Sequence, residues 1–318
     1  MSSSTYTPGS FSSSWSTMTQ YIWNTAPLLV GSQANWALFG VLAAQVYKFH
    51  SSPYKNSGWI KLLVYGLFSI EFFQSIMASH YAYVILVSGW GDPNIVTGIP
   101  WSAGIPTFCI PIVSVSVQIY FARRIYILSG KEGWVRFVSS VIVVLALMQS
   151  LAGLSSVVRF SITTSHAEIA ILTLAVKFWV IGAAICDILV AATMLILLSR
   201  YRKLASRKST VTFIVKLMVA SIQTGIVPTF VALVMLVTYI VCGTQNNLMV
   251  MPSLILGKLY CNFLLYNLNI HVEDEPPSNI SLTHITGIPA STSLHDKHQL
   301  QAGAHIKEAV EDSGESSR

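Results

Sequence analysis

The chain has 318 residues, of which 53% are hydrophobic and only 10% charged, whereas an ordinary soluble domain carries about 25% charged residues. With a mean hydropathy of +0.60, this excludes a soluble globular domain and describes a multi-pass membrane protein. The formal net charge of +6 does not indicate a nucleic-acid partner, because the basic residues form neither one patch nor one stripe.

Residues 1–26 are rich in Ser and Thr and hold no Lys or Arg, so they lack the positive n-region of a cleavable signal peptide and read as a short mobile extracellular tail. Seven apolar segments follow, at roughly 27–47, 61–87, 105–128, 135–158, 169–199, 212–241 and 249–269. Each is near the ~20 residues that a helix needs to cross a hydrocarbon core of about 30 Å. The expected fold is therefore all-α, a seven-helix integral membrane bundle. Pro111 in the third segment and Pro228 in the sixth each remove a backbone donor and should kink their helices.

The basic residues orient the bundle. The connections after segments one, three and five hold Lys48, Lys55 and Lys61, then Arg123, Arg124, Lys131 and Arg136, then Arg200, Arg202, Lys203, Arg207, Lys208 and Lys216; the opposite side holds only Arg159. Because cytoplasmic loops carry the excess of Lys and Arg, the N-terminus is expected outside and the C-terminus inside, with the plasma membrane as the expected location. After Asn269 the chain turns polar and ends with Glu308, Glu311, Asp312 and Glu315. Residues 270–318 are too poor in apolar side chains to bury a core and read as a disordered cytoplasmic tail.

Alternating directions allow depths to be compared. Counted from the cytoplasmic edge at 1.5 Å per residue, Glu71, Gln118, Asp187, Gln223 and Lys258 all lie about ten residues up, near the bilayer midplane. An unpaired charge there costs on the order of 2.5–3.5 kcal/mol, so the layer should face inward and Lys258 should pair with Asp187 or Glu71. The layer reads either as a structural lock or as a ligand, ion or proton site. His80, outward of Glu71, and Asn262, beyond Lys258, complete the candidate set.

Other chemistries lack their residues. Lys258 would suit a retinal Schiff base, but the third segment has no carboxylate for a counter-ion and Leu254 stands one turn before the lysine. A zinc hydrolase needs several intramembrane histidines, and only His80 lies within a segment. At segment ends, Ala122-Arg123-Arg124-Ile125-Tyr126 and Leu265-Tyr266-Asn267 are faint echoes of rhodopsin-like receptor motifs. No catalytic set is visible, so no enzyme, cofactor or metal is expected. The four cysteines, Cys109, Cys186, Cys242 and Cys261, show no metal spacing and read as buried thiols; a Cys109–Cys242 disulfide near the outer face stays open.

Several stretches resemble a family of fungal integral membrane proteins known as domain of unknown function 6534. They are WALFGVL (36–42), Ile70-Glu71 with Gln74 and His80, Gly91-Asp92-Pro93, residues 122–128, Cys186-Asp187-Ile188-Leu189, Gln223-Thr224-Gly225 and LGKLYCN (256–262). The resemblance spans roughly residues 30–270 and implies the fold and a membrane location; the family has no established activity to transfer. Seven segments, kinked helices, a basic 200–208 loop suited to a cytoplasmic partner and a regulatable tail give a receptor-like expectation, with a small molecule or ion as ligand and the lipid bilayer as surroundings. A transporter or proton-coupled carrier and a non-catalytic scaffold are the alternatives.

Overall fold

The computed structural model describes residues 9–52, 57–90, 92, 100–129, 132–162, 166–205, 208–242 and 247–273. Its long elements are α1 (Gly9–His50), α2 (Gly58–Tyr83, continued by a π turn, Val84–Ser88), α3 (Gly104–Leu128, led by a 3-10 turn, Trp101–Ala103), α4 (Gly133–Ile162), α5 (His166–Leu204), α6 (Lys208–Cys242) and α7 (Val250–Glu273). Among the described residues there is no strand. Six stretches are long and apolar enough to cross a membrane: Tyr21–His50, Gly58–Ser88, Trp101–Leu128, Gly133–Arg159, Leu174–Leu204 and Thr210–Val241. The fold is thus consistent with a helical membrane bundle, in which each helix satisfies its own backbone groups where water is absent.

Helix α1 starts at Gly9, inside the stretch read as a mobile tail. Ser and Thr are compatible with a helix when their hydroxyls return to the preceding turn, as Thr25 does in donating to the Tyr21 carbonyl at 2.9 Å. The polar C-terminal region from residue 274 lies outside the described residues.

Successive helices pack side by side, and α7 closes the ring against α1 while also meeting α2, α3 and α6. Side-chain bonds fix the register. Asn262 and Asn269 of α7 reach the Leu38 and Gln45 carbonyls of α1, so these two helices run parallel. Ser139 and Ser150 of α4 reach the Ala122 and Pro111 carbonyls of α3, so that pair is antiparallel. Helix α3 is the most buried of the six apolar stretches. Helix α7 is covered further still: of its described side chains only Met251 and Tyr266 are exposed. This explains why it falls below the hydropathy of the other six. Protein surrounds it, so Lys258, Asn262, Asn267 and Asn269 meet polar groups instead of lipid.

One end of the bundle is basic. There Arg123 lies over Trp59, Arg136 over Tyr126 and Arg200 over Trp134, each 5.4–5.6 Å from the ring centroid. Arg200 also pairs with Glu132 at 2.5 Å.

Candidate functional site

Lys258 is fully buried, and so is Glu71 at 1% exposure. The ammonium donates to Glu71 Oε2, to the Glu71 carbonyl at 2.8 Å and to Gln74 Oε1 at 2.7 Å, which uses all three of its protons. The Phe39 ring lies under it, 5.6 Å to the centroid. Gly257, the residue before the lysine, makes the close approach possible, because a Cβ there would run into Glu71 Oε1. The lysine's partner is therefore Glu71, held with Gln74, and Asp187 is left to other residues.

Asp187 of α5 accepts from the Tyr260 hydroxyl at 2.6 Å and from Gln118 Nε2 at 2.9 Å. Gln118 Oε1 in turn accepts from Gln149 Nε2 at 2.8 Å. One polar chain thus crosses α7, α5, α3 and α4. Lys258 and Tyr260 are two positions apart, about 200° around a helix, and this rotation separates the ionic cluster from the Asp187 chain. Beside Tyr260 lies a cavity of about 10 Å³ lined by Ile110, Ser114, Trp179, Ala183, Met235 and Leu256, among others. That is about the room one water needs, in an otherwise apolar wall.

The remaining candidates lie apart from these two clusters. Asn262 donates to the Leu38 and Lys258 carbonyls at 3.1 and 2.8 Å and accepts from Gln45 at 3.3 Å, so it ties α7 to α1. His80 meets Ser102 at 3.0 Å and lies against Trp101, nine residues or about 13 Å of helix rise from Glu71. Gln223 does not join the layer: it is exposed on α6, while its neighbours Ser221, Thr224 and Gly225 face inward. Cys109 is a free, buried thiol; the Cys242 side chain, the other half of the open disulfide, lies outside the described residues.

Among the buried polar groups with no counterpart in the depth count, three bear most on the site. Gln149 is the lone carboxamide of α4, a signal that counting only one level overlooked. Asn35 of α1 is fully buried with neither side-chain polar atom bonded. It falls at the height of Lys258, between the α1–α7 meeting points Gly31–Leu254 and Leu38–Asn262. Arg124, counted above with the loop charges, is 2% exposed and donates to Asn267 Oδ1 of α7.

The model of a family described as "Family of unknown function (DUF6534)" matches residues 183–272. That segment holds Asp187, Lys258, Tyr260, Asn262 and Asn267, while their partners Glu71, Gln74, Gln118, Arg124 and Gln149 lie before it. No curated protein and no solved structure matches the chain.

Proposed function

We propose that this is a receptor-like membrane protein in which α7 couples a cue received within the bundle to the basic end. On this reading all seven helices span the bilayer, the N-terminus is outside, the basic end is cytoplasmic, and the membrane is the plasma membrane. The wider resemblance to fungal family members over roughly 30–270 fits the same reading. The observation that carries it is the set of partners of α7. Lys258 holds α2, Tyr260 holds α5, Asn262 and Asn269 hold α1, and Asn267 holds α3. One buried helix therefore has a polar attachment to four neighbours, at levels from the ionic cluster to the basic end, and displacing it must break or exchange these bonds together.

A second reading, a proton-coupled carrier, is favoured by one specific observation. Glu71 Oε1 and both polar atoms of Asn35 are buried without partners at the level of the ion pair, where a transferred proton or ion would sit. The experiment separates the readings with spin labels at the exposed positions Tyr126 and Leu204, comparing the full chain with the Lys258→Met/Glu71→Gln variant. A widened distance distribution at the basic end without proton flux in proteoliposomes supports the receptor reading. Proton flux that Glu71→Gln abolishes replaces it with the carrier, and no change in either leaves a scaffold.

A further inference from the structure

Among the described residues Arg124 is a cation with no anion beside it. Its guanidinium cannot lose its proton inside a protein, and it is buried at 2% exposure next to Asn267 at 0% and Tyr120 at 3%. Nη1 donates to Asn267 Oδ1, while Nε and Nη2 have no partner. The same holds for Asn267 Nδ2; the Tyr120 hydroxyl lies within hydrogen-bonding reach of the guanidinium, but with no bond of full geometry. The two buried carboxylates among the described residues cannot serve: Glu71 is committed to Lys258, and Asp187 to Tyr260 and Gln118.

We propose that Arg124, Asn267 and Tyr120 form a binding site for a small monovalent anion, of the halide class, between α3 and α7. The unpartnered atoms are N–H and O–H groups around a positive charge, and the one strong acceptor among them, Asn267 Oδ1, is already used. Such a set calls for an acceptor that brings charge and no protons of its own. A water would offer its lone pairs as acceptors but leave the cation uncompensated and add two donors to a site rich in them. The carbonyl ends of α3 and α7 contribute a partial negative charge of about half a unit each, but they do not reach the free guanidinium protons, which would then have no acceptor. Phe121, Ile125 and Leu128 on α3 and Leu268 on α7 are all buried core residues, an environment that favours a small ion over phosphate or a carboxylic acid. Arg124 stands one helical turn from the end of α3, and Arg123, Arg136 and Arg200 at that end raise the local anion concentration.

The test is the unfolding temperature of the full chain in nanodiscs as sodium chloride replaces sodium gluconate at constant ionic strength. Ligand that binds only the folded state stabilises it in proportion to the logarithm of its excess over Kd. The wild type is expected to gain several degrees, bromide to act like chloride, and Arg124→Gln to lose the response while Gln223→Leu keeps it. A flat wild-type response overturns the proposal, and so does a chloride response that survives in Arg124→Gln. Should Arg124→Gln fail to fold, chlorine NMR line broadening on the wild type decides: broadening relieved by bromide supports the site, and its absence overturns it.

Discussion

Lys258 and Arg124 are both cations sealed inside the bundle, and they are treated in opposite ways. The lysine has a carboxylate, a carbonyl and an amide oxygen, one for each proton. The arginine has one amide oxygen and leaves two of its nitrogens without partners. The contrast teaches that burial alone does not define a lock. The Lys258–Glu71 cluster is complete within the chain, apart from one carboxylate oxygen, whereas the Arg124 cluster is open to a missing negative group.

The sharpest way to break this contrast is Lys258→Met, which strands the Glu71 carboxylate. Removing one half of a buried pair costs about 3–5 kcal/mol, while neutralising both halves can cost little. Thermal unfolding read by a thiol-reactive dye on the buried Cys109, Cys186 and Cys261 should therefore show a large loss for Lys258→Met and substantial recovery for Lys258→Met/Glu71→Gln. Next comes Tyr260→Phe, which removes a hydrogen bond to Asp187 and should cost about 1.5–3 kcal/mol by the same measurement. Gly257→Ala pushes a methyl into Glu71 and is expected to cost about 1–3 kcal/mol through overpacking; a silent alanine would mean that the glycine is not what admits the carboxylate. Arg124→Met in chloride-free buffer should stay within about 1 kcal/mol of wild type or exceed it, since an uncompensated buried cation is removed. Smallest of all, Gln223→Leu on the outer face should stay within about 0.5 kcal/mol, and a larger loss would return that residue to the interior.

The helical membrane character of the bundle was legible in the sequence because run length and hydropathy report directly on what a bilayer accepts. Lys258 stood out for the same reason, as a charge inside an apolar run. What the depth count could not supply was azimuth. Gln223 has the right height but points away from the interior, and hydropathy gives no warning because lipid-facing and buried positions are equally apolar. The choice between Glu71 and Asp187 turned on the 200° between Lys258 and Tyr260, which again is rotation, not depth. Arg124 was hidden differently: in a sequence, a basic residue near a helix end looks like a loop charge, whether or not its side chain folds back into the bundle.

The modest hydropathy of α7 has a consequence for how the chain is made. On the seven-span reading, a lysine at mid-helix disfavours spontaneous insertion by about 2.5–3.5 kcal/mol, and the carboxylate that offsets it belongs to α2, synthesised some 187 residues earlier. Glu71 must wait in the membrane through the production of four intervening helices before its partner emerges. Helix α7 then enters against a prepared surface, and a chain truncated before it is expected to keep an unmatched acid in the bilayer.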